Sequence, residues 1–275
     1  MGIFLFISIW ILFFLLWIIK LEWRNHRRKI LLQKELSHDW VEIIERNVAL
    51  YKFLPDDLKK QLHRHMQVFL AEKYFEGCGG LKITDEIKVT IAAQACILLL
   101  NRDKITYFPL LSSILVYPSA YVAEQRVQIG ITYITEPSAR LGESWDRGTV
   151  VLAWDHVKQC TMDFKGGHNV VLHEFAHQLD QESGQANGAP LLEKRSSYAM
   201  WAHVLTEEYQ HLRSAMMHHE KDIMDFYGAT NPAEFFAVAT ETFFEKAILM
   251  KKIHPKLYEE LKEFYRLDPA EWFEQ

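Results

Sequence analysis

The hydrophobic pattern divides the chain before any other feature does. Residues 3–19 read IFLFISIWILFFLLWII, with Ser8 the sole polar position. With its flanking residues this run approaches the roughly 20 that a helix needs to cross a bilayer. Basic residues follow the run instead of preceding it, and no small-residue cleavage site closes it, which favours an uncleaved anchor over a signal peptide. The expected organisation is a transmembrane anchor over 1–21, a basic juxtamembrane helix over 22–38 and one folded body over 39–275.

Apolar positions then recur at helical spacing. Residues 22–48 predict an amphipathic helix. Leu54-Pro55-Asp56-Asp57 opens another, with Pro near its start, acids in its first turn and Leu58, Leu62, Met66, Phe69 and Leu70 as its apolar positions. Gly77, Gly79 and Gly80 break it. Thr84-Asp85-Glu86 starts a helix over 87–100 whose VTIAAQACILLL stretch is apolar nearly all round, and so is expected to be buried. The middle of the chain changes period. Ser113–Tyr117, Val127–Ile134 and Thr149–Trp154 are β-branched or aromatic runs that predict a small mixed sheet. Ser113–Tyr117 reads as a core strand, with an edge for an extended peptide as the alternative. After Gly166-Gly167, helices are predicted over about 169–181, 193–214, 232–250 and 254–266. The fold class is α+β, a mainly helical body with a small mixed sheet behind an N-terminal transmembrane helix.

Composition changes little in this picture. A chain of 275 residues with 49% hydrophobic and 24% charged residues and three Cys is neither disordered nor a disulfide scaffold. A formal net charge of −5 gives no reason to expect direct nucleic-acid binding. The distribution of that charge says more. Lys20, Arg24, Arg27, Arg28, Lys29 and Lys34 against Glu22 give residues 20–34 a charge of +5, and residues 35–275 carry −10. Positive charge after the apolar run places the body on the cytoplasmic side of the inner membrane as a single-pass protein.

The chemistry concentrates in His173-Glu174-Phe175-Ala176-His177. Two histidines four apart lie on one face of a helix, one turn apart, where both imidazoles can bind a tetrahedral Zn²⁺. Glu174 sits beside such a metal, placed to accept a proton from activated water. Two His and a Glu among Val170, Val171, Leu172, Phe175, Ala176 and Leu179 would be costly without partners. The remaining histidines, His254 and His211 among them, fall on polar stretches and read as surface residues. A catalytic zinc needs a third protein ligand. Glu234 and Glu241, seven apart on the predicted helix after Asn231-Pro232, are equal candidates on mechanics alone. Glu234 has the competing reading of a capping box with Asn231.

The strings HEFAHQLD, SGQANGAPLL, YGATNPAEFFAVATETFF, FLAEKYFEG, ITDEIKVTIAAQACILLL and SILVYPSAYV resemble the Mlc titration factor A family of zinc peptidases, over roughly residues 38–270. The resemblance implies a zincin-like metallopeptidase domain of the gluzincin type with one Zn²⁺ per chain. It implies Glu234 as the third ligand and Tyr227 as a transition-state hydrogen-bond donor. Glu241 then becomes a partner that orients a ligand histidine. Asp180 is a candidate for the same task, or a helix-end acid ahead of Gly184. The implied activity is aminopeptidase-like hydrolysis of short peptides, and the implied partners are a peptide or protein substrate and a DNA-binding repressor protein, with the membrane contacted through residues 3–19. The alternative class is a membrane-tethered regulator with a structural zinc site. The intact Glu174 speaks against it, since a purely structural site needs no base.

Overall fold

The computed structural model describes residues 2–102, 105–119, 121–129, 132–140, 142–145, 148–162, 166–194 and 196–273, without side chains at 2, 3, 5, 7–9, 121–145 and 161–162. In chain order the elements are α1 (Gly2–Leu31), α2 (His38–Asn47), α3 (Asp56–Glu72), β1 (Tyr74–Gly77), α4 (Asp85–Ile97), β2 (Ser113–Tyr117), β3 (Tyr121–Ile129), β4 (Thr132–Arg140), β5 (Gly142–Trp145) and β6 (Thr149–Ala153). They continue with α5 (Trp154–Met162), α6 (Val170–Gln181), α7 (Ser197–His218), α8 (Pro232–Glu245), α9 (Ala247–Ile253), α10 (Pro255–Tyr265) and α11 (Pro269–Trp272). The expected α+β class holds.

The sheet is mixed, in the order β1-β2-β6-β5. β1 and β6 both run parallel to β2, and β5 runs antiparallel to β6. Ser113–Tyr117 is therefore a core strand paired on both sides, and the alternative of a peptide-binding edge there is excluded. The expected single strand over Val127–Ile134 is instead parts of β3 and β4, which pair antiparallel with Ile129 opposite Thr132.

Helix boundaries follow local signals. Thr84 caps α4 by accepting from the Ile87 N–H, and every residue of α4 from Val89 to Ile97 is buried, as its apolar circumference requires. The helix expected over 22–48 is two, because α1 ends at Leu31 and α2 restarts behind Ser37, whose backbone is extended. The helix expected over 232–250 also divides, at Lys246 between α8 and α9.

The expected anchor needs correction. α1 runs unbroken through the proposed boundary at residue 21, so the apolar start and the basic collar belong to one helix. Among the described residues no helix is long and apolar enough to cross a membrane. Part of the expected span, the side chains at 2, 3, 5 and 7–9, lies outside the described residues. The basic end of α1 is docked on the body. Arg28 donates from Nε and Nη2 to the Glu72 carboxylate at 2.6 and 2.7 Å, and its guanidinium lies 4.9 Å over the Tyr107 ring.

Two aromatic clusters position the helices that matter for function. Phe175 on α6 is enclosed by Phe69 and Phe108, with ring centroids at 5.6 and 4.8 Å. α8 buries Phe235, Phe236, Phe243 and Phe244 against Tyr209, Trp201, Phe264, Tyr258 and Tyr265. With their outer faces fixed in this way, α6 and α8 pack directly against each other.

Candidate metal centre

α6 starts at Asn169, whose side-chain oxygen accepts from the N–H groups of Val171 and Leu172 at 3.1 and 3.0 Å. This cap fixes the helix register, and Val171, Leu172, Phe175, Ala176 and Leu179 take the core side. His173 and His177 then emerge one turn apart toward α8, with their Nε2 atoms 3.2 Å from each other. α8 is capped in the same way. Asn231 accepts from the N–H groups of Ala233 and Glu234, both at 3.0 Å, and Pro232 occupies the first turn. The N-terminal cap expected at Asn231 is present.

The Glu234 carboxylate reaches across to α6. Its Oε2 lies 2.9 Å from His173 Nε2 and 3.3 Å from His177 Nε2. Glu241, two turns on, takes the other side of His173, with Oε1 2.7 Å from Nδ1, while its Oε2 accepts from the Asn169 backbone N–H. Glu234 thus meets both imidazoles at Nε2, and Glu241 meets His173 at Nδ1. Partners placed like Glu241 typically contribute about 10–100-fold to metal affinity.

Glu174 is buried on α6, one residue after His173. Tyr227 lies in a short turn, Phe226–Ala229, ahead of α8, with its ring centroid 5.9 Å from that of His173. It is 55% exposed. Asp180 is fully buried, and its Oδ2 accepts from the Gly188 N–H at 2.7 Å. Gly188 in turn receives the Trp201 indole N–H on its carbonyl at 2.9 Å. With φ at +79°, and with an added Cβ meeting the Pro232 carbonyl oxygen at 2.5 Å, that position needs glycine. Asp180 therefore ties the end of α6 to the loop lying against the start of α8, where Glu234 stands. This is a positioning task that spacing alone did not suggest.

Asn169 and Glu245 are part of the site that sequence reasoning missed. The Asn169 side-chain amide donates to Glu245 Oε1 at 3.0 Å. The cap signal of an Asn before VVLHEF was available, but its link to a glutamate 76 positions away was not.

The electrostatics suit a cation. Burial would raise the Glu234 carboxyl, but the two histidines outweigh it and hold its pKa at about 2. Burial opposes a charge on His173, yet Glu241 and Glu234 push its pKa well above the usual imidazole value. Glu245 is pushed well up, first by burial and then by the nearby Glu241.

A family model described as glucose-regulated metallo-peptidase M90 matches residues 21–266. The chain belongs to this family. It is 33% identical over 265 residues to a Mlc titration factor A of Pectobacterium atrosepticum, covering 91% of this chain and 92% of that protein. It is 31% identical over 258 residues to a Mlc titration factor A of Serratia proteamaculans, covering 91% and 94%. An uncharacterised protein of Synechocystis is 41% identical over 250 residues, covering 90% of each chain.

Membership in a metallopeptidase family implies a metal ion, and the donor set fits one. Around an ion with bonds of about 2.0–2.1 Å, tetrahedral donors stand roughly 3.3 Å apart. The separations among His173 Nε2, His177 Nε2 and Glu234 Oε2 are 2.9, 3.2 and 3.3 Å. Two neutral imidazoles and one carboxylate are the donor types found at catalytic zinc sites.

Proposed function

We propose that the protein is a zinc-dependent peptidase of the gluzincin type, aminopeptidase-like on short peptides, with His173, His177 and Glu234 as the zinc ligands. The observation that carries this reading is the single Glu234 oxygen set between the two imidazole Nε2 atoms, with Glu174 the next residue after His173.

Zinc held by this set would supply a Lewis acid that makes water nucleophilic near neutral pH and polarises the scissile carbonyl. The remaining work belongs to the chain. Glu241 keeps the proton on Nδ1 of His173 and so leaves Nε2 as the donor atom. The Glu174 carboxylate takes a proton from the attacking water and delivers it to the leaving amine nitrogen. The Tyr227 hydroxyl donates a hydrogen bond to the oxyanion as the carbonyl becomes tetrahedral. Among the described residues β5 pairs only with β6, and it packs against α6. An extended peptide added to that edge would lie along the site.

Removal of the metal tests the reading. The full-length protein treated with a zinc chelator is expected to lose cleavage of a peptide library, and one equivalent of Zn²⁺ at the cluster is expected to restore it. Turnover that survives complete metal removal would overturn the assignment.

We also propose a DNA-binding repressor protein as a regulatory partner, supported by the resemblance to proteins named Mlc titration factor A. For localisation we propose the inner face of the cytoplasmic membrane, with the apolar start of α1 in contact with lipid. The support is that the side chains from Trp10 to Ile19 are all exposed, next to a basic collar suited to anionic headgroups. Membrane fractionation checks this: the full chain is expected in the membrane pellet, and a chain lacking residues 1–19 in the supernatant.

A further inference from the structure

α7, the loop after it and the junction of α9 with α10 bring a second group of metal-ligating side chains together, remote in sequence from the HEFAH helix. Glu208 and His211 lie three apart on α7, and so on one face. His254 stands between α9 and α10, and Asp222 follows α7 in the loop. One ligand atom each from Glu208, His211 and His254 falls within 4.8 Å of the others. Asp222 faces both rings, with Oδ2 3.7 Å from His211 Nδ1 and Oδ1 3.3 Å from His254 Nε2. One of those separations matches the roughly 3.3 Å expected between donors around a tetrahedral ion, and the other is longer.

The second observation concerns His254 itself. Its side chain is only 3% exposed, and its Nε2 completes no hydrogen bond among the described residues, although Asp222 is near. A buried ring nitrogen left in this way is costly unless something else satisfies it. Its Nδ1 is engaged by Glu208 Oε2 at 2.7 Å. The same arrangement recurs at His173, where Glu241 stands 2.7 Å from Nδ1 and Nε2 faces the other donors. His211 is more than half exposed, which leaves an entry path from solvent.

We propose that His211, Asp222 and His254 form a second site for a divalent transition-metal ion of the zinc type, with Glu208 holding His254 from its Nδ1 side. Two imidazoles and one carboxylate are borderline-hard donors suited to Zn²⁺ and its neighbours rather than to Ca²⁺ or Mg²⁺. The site joins α7, the loop after it and the start of α10. Asp222 precedes Tyr227 by five residues, so an ion here would pin the loop that carries Tyr227 to the cluster at His173. The competing occupant is a proton. Burial opposes a charge on His254, but Asp222 and Glu208 outweigh it and lift its pKa to about 9.

The test is Zn²⁺ stoichiometry and affinity of the metal-stripped full-length protein, read by titration and by metal analysis after dialysis. Wild type is expected to take two equivalents. His211→Ala, at an exposed position, is expected to weaken one of them at least about tenfold and keep the other. Asp222→Asn is expected to do the same. The double variant His173→Ala/His177→Ala is expected to retain the equivalent that His211→Ala weakens. A wild type that takes one equivalent, lost in the double variant, would mean a protonated His254 ion pair only and would overturn the proposal. Two equivalents that are both unchanged in His211→Ala and in Asp222→Asn would overturn it as well. One equivalent that persists in the double variant and weakens in His211→Ala would support this site while removing the metal centre assigned at His173.

Discussion

Glu174→Gln is expected to lower kcat for peptide hydrolysis by about 10²–10⁴-fold while the protein keeps its metal. The substitution preserves the shape of a side chain that is only 4% exposed on a helix whose other face is packed into the core. It removes the carboxylate that accepts the proton from the attacking water. The ligand atoms of His173, His177 and Glu234 are untouched, so metal content is expected to stay at the wild-type level. Single-turnover cleavage, measured beside metal analysis on the same samples, separates a lost base from a lost ion. A variant that cleaves as fast as wild type with its metal in place would remove Glu174 from the chemistry.

Phe175→Ala is expected to destabilise the fold by about 3–5 kcal/mol, the usual cost of emptying a buried aromatic position. Phe175 has no exposed surface, and its ring meets Phe108 at 4.8 Å and Phe69 at 5.6 Å. A loss of that size is a large share of the roughly 5–15 kcal/mol that holds a typical domain together. It also falls between the two histidines, on the opposite side of α6, so the packing that fixes their register weakens with it. Urea unfolding measures the loss. A decrease below about 1 kcal/mol would show that the Phe69–Phe108–Phe175 cluster does not hold α6 in place.

Much of this was legible in the sequence. Thr84 ahead of Asp85-Glu86 and Asn231-Pro232 each announce a helix start, and each caps one. The spacing of His173 and His177 places both rings on one face, and α6 presents them so. The apolar circumference of Ile87–Ile97 predicts burial, and α4 is buried. The runs at Ser113–Tyr117 and Thr149–Ala153 are adjacent strands. Other features were not legible. β1 is four residues long, too short to carry an alternation, and it forms by pairing with β2. His254 sits between Ile253 and Pro255 among lysines and reads as exposed, but the packing of α10 on α7 and α9 buries it. Nothing within residues 1–31 shows that Arg28 is held by Glu72, 44 positions away.

The sequence by itself determined which residues can act together within one or two helical turns. It placed two imidazoles and a glutamate on α6 and two glutamates on α8, because cap chemistry and a period of 3.6 are local and act between neighbours in the chain. Tertiary structure alone decided how those sets meet. His173 and Glu234 are 61 positions apart, and His177 and Glu234 are 57 apart. Only the packing of α6 against α8, held by aromatic rings on their outer faces, puts one oxygen of Glu234 between two nitrogens and leaves Glu241 behind. The same holds for the sheet edge at β5, for the continuity of α1 and for the group around His254. Each depends on which surfaces are removed from water together, and that is a property of the whole fold rather than of any segment of it.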